Sequence, residues 1–228
     1  MRVIGGVWSG LSLDAPQGRE TTRPTTDRVR ESLTSMVLSA SGLSFAQKCV
    51  LDCFAGSGAL GIEFLSRGAQ QATFVDSSHS VCGIIKKNLK KVKAPASSYS
   101  VVCADAAVYV SQLVAGTRCV AARQGATKHT AFDIVLLDPP YDMPAEWVQK
   151  LVEDLHAAKA LASDALIVYE CASKAPSLTL SMAELQKSKR YGTTCVDLFR
   201  VGLQEATSTN SAAVTNSALT ISQEASDD

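Results

Sequence analysis

The tetrapeptide "DPPY", Asp138 to Tyr141, ends the apolar run "FDIVLL" by setting a carboxylate, two prolines and an aromatic ring side by side. Prolines stop a strand because they donate no backbone hydrogen bond and fix φ. Neither the acid nor the ring is needed for that. Together they suit an acceptor whose amine is a weak nucleophile because its lone pair is delocalised into an aromatic ring. A carboxylate accepting one N–H and a backbone carbonyl accepting the other favour a pyramidal nitrogen, whose lone pair can then attack a positioned electrophile. Asp138 and the carbonyl of Pro139 can fill those roles, Pro140 can hold the turn rigid, and Tyr141 offers a face on which such a ring can stack.

A second constellation precedes it. "FAGSGALG" places Gly56, Gly58 and Gly61 at G-x-G-x-x-G spacing, between an apolar run containing Asp52 and a helical pattern. Such a loop fits a nucleotide-type ligand and equally a tight structural turn. A dinucleotide would need its pyrophosphate at the helix N-terminus, whereas S-adenosylmethionine carries no phosphate and uses only the close backbone approach. Asp76, followed by Ser77, ends the next apolar run and can either accept from both hydroxyls of a ribose or cap the following helix. Asp105, followed by Ala106, has the same ambiguity, as an acceptor for an adenine amine or a cap.

The elements that position these residues are legible as alternating patterns. Short apolar runs at 49–54, 71–76, 98–105, 132–138 and 165–171 predict strands, and "TTCVDLFRVGL" (193–203) predicts a last one. Amphipathic spacing predicts helices over 59–68, 80–92, 106–114 and 145–161. Continuous apolar strands separated by helices imply a parallel sheet covered on both faces, a doubly wound α/β domain whose ligands bind at the carboxyl ends of the strands. Ahead of it, "MRVIGGVWSGLSL" alternates and is broken by Gly pairs, predicting a β-hairpin. After that, Val29, Leu33, Met36 and Val37 share one helical face behind a cap at Thr26 or Asp27. The segment from 204 to 228 lacks Lys, Arg and aromatic residues and buries too little to order itself, so it is expected to be a disordered tail.

Lys plus Arg and Asp plus Glu both total 22, so net charge argues neither for nor against nucleic acid. The seven cysteines form no CxxC pair and the three histidines are far apart, so reduced, buried thiols and no metal site are expected. No signal peptide is expected, and no apolar run reaches membrane-spanning length.

"FAGSGALGIEFLSRGA" with "DPPY" resembles the class I S-adenosylmethionine-dependent methyltransferases that modify exocyclic amino nitrogens. In that group the (Asn, Asp or Ser)-Pro-Pro-(Tyr, Phe or Trp) signature lines the pocket for the target amine. The order "RVIGGVWSGLSL", "RPTTDRVRESL", "DCFAGSGALGIEFLSRGA", "DIVLLDPPYD", "ALIVYEC", "YGTTCVDLFRV" is similar to the RsmD family, bacterial methyltransferases acting on the N2 amine of a guanine in 16S rRNA. The likeness runs over roughly residues 2–203, and "RPTTDRVRESL" is its most specific part. It implies a Rossmann-like doubly wound sheet with S-adenosylmethionine as cofactor and an N-terminal hairpin-and-helix extension (1–44) touching RNA and cofactor. The methyltransferase domain would be 45–203. It also implies a cytoplasmic, membrane-free monomer acting on 16S rRNA within a small-subunit assembly intermediate. By resemblance, Phe54, Ala55, Gly56, Ser57 and Gly58 would hold the methionine end, with Asp52 beside them. Asp76 and Ser77 would hold the ribose, Asp105 and Ala106 the adenine, and Thr26 and Arg28 the cofactor carboxylate. Asp138, Pro139, Pro140 and Tyr141 would be catalytic.

The chain departs from the family at its first hairpin, where Ser9 and Ser12 stand in place of basic residues, predicting fewer phosphate contacts there. That leaves Arg2, Arg19, Arg23, Arg30 and the helix "IIKKNLKKVK" as an RNA footprint, although a lysine-rich helix also reads as a solvated face. Residues 116–131, with Arg118, Arg123, Lys128 and His129, read as an extra surface loop or an RNA contact. Related amino-methyltransferases act on adenine N6 or on a protein glutamine, and only the N-terminal resemblance argues against those acceptors. An NAD-dependent oxidoreductase would leave "DPPY" unexplained. A non-catalytic RNA-binding module would leave the motifs at four strand ends without a use.

Overall fold

A computed structural model of the protein describes residues 1–16, 27–116 and 131–202. The expectations for Thr26, Arg19, Arg23, the loop cations Arg118, Arg123, Lys128 and His129, and the tail at 204–228 lie outside the described residues.

Twelve strands and α-helices stand among the described residues, and all but one follow the alternation of the sequence. They are α1 (Asp27–Ala40), β1 (Cys49–Asp52), α2 (Ala59–Ser66), β2 (Gln71–Asp76), α3 (His79–Lys91), β3 (Tyr99–Cys103), α4 (Ala106–Val114), β4 (Phe132–Leu137), α5 (Ala145–Ala157), β5 (Leu161–Ala172), β6 (Ala183–Tyr191) and β7 (Thr194–Val201). The strands form one sheet in the order β3-β2-β1-β4-β5-β7-β6. β1 to β5 pair in parallel, and β7 runs antiparallel to both β5 and β6. The chain builds outward from β1 through β2 to β3, then returns to lay β4 on the other side of β1. That reversal opens a crevice at the carboxyl ends of β1 and β4.

Each helix buries the stripe its spacing predicts. α5 buries Val148, Leu151, Val152 and Leu155, and α4 buries Tyr109, Val110 and Leu113, all in the core on one face of the sheet. The opposite face is covered by α1, α2 and α3 through Leu33, Val37, Ile62, Ile85 and Leu89, and Val3 and Leu13 of the N-terminal segment enter the same core.

The first residues form a short version of the expected hairpin: Val3 N–H donates to the Leu11 carbonyl, Gly10 N–H to the Val3 carbonyl and Leu13 N–H to the Met1 carbonyl, each at 2.9 Å. A single bridge, Arg2 to Ser12, closes a loop around a 3-10 turn at Gly6–Trp8. The amides of Ile4 and Gly5 instead donate to Glu63 of α2, each at 2.8 Å, and Trp8 donates to Ser66 Oγ at 2.9 Å. Glu63 is fully buried, and these two bonds with the Arg67 ion pair satisfy it there. Asn88 of α3 clamps Asp14 through both its amide groups.

Three further expectations are corrected. β6 does not show in the sequence because "AELQKSKRY" is exposed along most of its length, so no hydrophobic alternation marks it. α5 ends at Ala157 and β5 starts at Leu161, earlier than 165, since β4 and β5 already pair there. Cys103 is exposed and Cys195 half-buried, the first because it ends β3, the outermost strand.

Candidate active site

The carboxyl ends of β1, β2 and β4 and the start of α4 converge on a cleft of about 490 Å³. Its walls include Asp52, Phe54, Ala55, Gly56, Ser57, Asp76, Ser77, Asp105, Ala106, Asp138, Pro139, Pro140 and Tyr141. Thirteen positions singled out from the sequence thus share one cavity.

The loop after β1 has its shape for two reasons. Gly58 is the N-cap of α2 and has φ of 76°, a left-handed conformation that residues with a Cβ adopt only with strain. Gly61 lets α2 lie against β2, since a Cβ there would stand 2.4 Å from the ring of Phe74. Gly61 N–H, in the first turn of α2 where an amide has no intrahelical acceptor, donates to Asp52 Oδ2 at 3.1 Å. Gly56 N–H donates to Asp76 Oδ2 at 3.0 Å, so the loop backbone is tied to the acids of both neighbouring strands.

Electrostatically the floor is acidic. Asp52 is 2% exposed, and burial pushes its carboxyl up to about 7, with the charges of Asp138 and Asp76 adding to the rise and the Gly61 bond opposing it. Cys53 also lines the cleft, and burial beside Asp52 raises its thiol and keeps it protonated. Asp76 is buried and binds Ser78 N–H as well as Gly56, while Ser78 itself caps α3. Asp105 caps α4 through the amides of Ala107 and Val108, and its exposed side chain still borders the cleft.

Arg30 forms part of the cleft wall, where the sequence reading had put Arg28. Arg28 is exposed on α1 and is not part of the lining. Arg30, two residues on, is 3% exposed. Its Nη2 donates to Asp27 Oδ1 at 2.7 Å and to the carbonyl of Arg2 at 2.8 Å, while Nε and Nη1 are buried with no hydrogen-bond partner among the described residues. The helical pattern alone gives both arginines to one helix. Only the packing of α1 against α2 and the N-terminal loop turns Arg30 inward. Met1, Ala15 and Pro16 complete that wall and carried no sequence signal.

Pro139, Pro140, Tyr141 and Met143 belong to two cavities at once. The second, of about 330 Å³, is bounded also by Glu146, Tyr169, Glu170 and Cys171. The Tyr141 ring therefore stands between them, 46% exposed, with its hydroxyl 3.0 Å from Thr194 Oγ1 at the start of β7. Burial raises the Tyr141 phenol, and the Thr194 bond partly offsets this.

A protein-family profile described as "Conserved hypothetical protein 95" matches residues 1–200. The chain is 37% identical over 170 residues to ribosomal RNA small subunit methyltransferase D of Escherichia coli, covering 75% of this chain and 74% of the relative. It is 30% identical over 200 residues to the protein of the same name in Haemophilus influenzae, covering 88% and 93%. Among solved structures, the Escherichia coli protein yhhF superposes with a TM-score of 0.69 at 32% identity, over 90% of this chain and 99% of that one.

Proposed function

The chain belongs to the RsmD family of small-subunit rRNA methyltransferases, and from that premise we propose that it methylates the exocyclic N2 of a guanine in 16S rRNA. The observation that carries the reading is the Pro139–Tyr141 turn, shared by the acidic cleft that Asp138 lines and a separate cavity beside it. Donor and acceptor can enter from opposite sides of that turn, with Asp138 next to it on the cleft side.

The cleft suits S-adenosylmethionine, which supplies a methyl group made electrophilic by its sulfonium. The two unpartnered nitrogens of Arg30 provide donors for the methionine carboxylate. Asp76 and Asp138 line the cleft with negative charge, a complement to an ammonium and a sulfonium, and a cation bound there draws Asp52 toward its ionised form. Asp76 keeps lone pairs free for ribose hydroxyls beyond its two amide bonds, since a carboxylate can accept about four. Asp105 and Ala106 border the place left for the adenine.

On the acceptor side, Tyr141 offers its ring to the extruded base while Thr194 fixes the ring's orientation. Asp138 and the Pro139 carbonyl accept the two N–H groups of the amine. Asp138 then stabilises the positive charge that grows on that nitrogen and is the nearest acceptor for the proton it releases. The extension at 1–44 supplies Arg30, and with it part of the cofactor wall.

The test is to incubate the protein with radiolabelled S-adenosylmethionine and, in parallel, 30S subunits lacking the modification, bare 16S rRNA, DNA and a protein extract. Digestion should return N2-methylguanosine from a ribosomal sample. A preference for subunits or their precursors over bare RNA would place the reaction during assembly. Label on adenine or glutamine alone would overturn the acceptor.

A further inference from the structure

Resting on the reading of the acceptor as rRNA, we propose that the edge strand β6, continued by Arg28 of α1, is the docking stripe for the RNA backbone that leads into the acceptor cavity. β6 lies at the outer edge of the sheet, and its last residue, Tyr191, pairs with Thr194, the residue that holds the Tyr141 hydroxyl. The strand thus ends at the rim of the candidate site.

Its charges are unevenly placed. Lys187, Lys189 and Arg190 occupy the half nearest the site, and no acid occurs between Leu185 and Val196. None of the three forms an ion pair among the described residues. Lysines on an edge strand discourage strand addition. That purpose needs only a lysine somewhere on β6 and does not account for three cations crowded toward one end.

The register gives them two directions. Lys187 and Lys189 oppose Leu198 and Val196, whose side chains enter the core under α1, so both lysines project on the α1 face. Tyr191 on that face joins Ser32 of α1 through their hydroxyls, and Arg28 lies one turn before Ser32 on the same stripe of the helix. Arg190 points to the other face, in line with Cys195 and then Cys171, which lines the acceptor cavity.

The competing candidate for RNA contact, the lysine-rich α3, is partly occupied: Lys87 and Lys91 both bind Asp14, at 2.6 and 2.9 Å, and strap down the N-terminal segment. Asp14 is correspondingly held at about 2, chiefly by its Lys87 bond. The first loop carries serines at its tip, so β6 supplies the cations that this loop lacks.

The experiment measures binding of the ribosomal substrate by K187A/K189A/R190A across a range of salt. Three lost phosphate contacts lower the slope of log K against log salt by about 2, and adding Arg28→Ala lowers it by about 0.7 more. KM for RNA rises, while kcat at saturating RNA and the Kd for S-adenosylmethionine stay at wild-type values, which also shows that the variant folds. The charge-preserving K187R/K189R/R190K keeps the wild-type slope. A triple variant with unchanged RNA affinity and slope, beside a wild type that methylates the RNA, overturns the docking stripe alone. A wild type that neither binds nor methylates ribosomal substrates overturns the functional reading and the stripe together.

Discussion

Asp52 makes the most quantitative prediction. Its carboxyl stands at about 7 in the folded chain against an ordinary 3.8, because burial, then the charges of Asp138 and Asp76, disfavour ionisation. Between those values the folded protein holds a proton that the unfolded chain has released. Stability is therefore greatest at or below the unfolded value, falls as pH rises toward the folded value, and levels off above it. The full span corresponds to about 4 kcal/mol. A cation bound beside Asp52 reverses the preference, since it favours the carboxylate. Lowering the pH from about 8 to about 6 then weakens S-adenosylmethionine binding by about tenfold, because the ligand must expel a proton from most molecules at the lower pH. Titration calorimetry in buffers of different ionisation enthalpy would read both the affinity and the proton released. Asp52→Asn keeps an oxygen for Gly61 N–H and removes the titration. It should melt higher than wild type at about pH 8, by an amount that shrinks toward about pH 6, and retain only the pH dependence of the ligand's own ammonium. A wild type with pH-independent affinity, or an Asn variant with the same dependence as wild type, would refute the reasoning.

Other substitutions separate the parts of the site. Asp138→Ala should lower kcat by about 10²–10³-fold with cofactor affinity nearly unchanged, measured by single-turnover methyl transfer beside calorimetry. Arg30→Ala should weaken S-adenosylmethionine binding by about 1.5–3 kcal/mol, while Arg28→Ala leaves it unaltered; equal losses in both would remove the assignment of Arg30. Gly61→Ala drives a methyl against Phe74 and should cost about 1–3 kcal/mol of stability, seen as a lower Tm with the pH profile of Asp52 also disturbed. Tyr141→Phe frees the ring from Thr194 at a cost of about 1 kcal/mol and should raise KM for RNA more than it lowers kcat, whereas Tyr141→Ala should damage both.

The parallel core was legible because its strands are buried on both faces and read as unbroken apolar runs, as in "FDIVLL" and "ALIVYE". β6 was not, since a strand that buries neither face has no reason to alternate, and its pairing with β7 rests on backbone bonds that any residue except proline can make. The N-terminal loop misled only in extent, for a related reason. Its glycines and alternation fit a hairpin, and its arms do pair beside Arg2 and Ser12, but Glu63, nearly sixty residues away, takes the Gly5 amide that would have carried the pairing further, along with that of Ile4.

The amino-acid sequence by itself determined the acids, glycines and prolines at the strand ends, because a residue that stops a strand or starts a helix acts within a few positions of itself. Their convergence on one cleft followed from strand order, and strand order follows from the rules of parallel sheets. Only the tertiary structure chose between Arg28 and Arg30, which are neighbours on one helix and indistinguishable in type. The choice depends on which side of α1 meets the rest of the fold. Only it, too, set Thr194 behind Tyr141 and gave the two cavities a common wall. Contacts of that kind join residues far apart in the chain, and no local pattern records them.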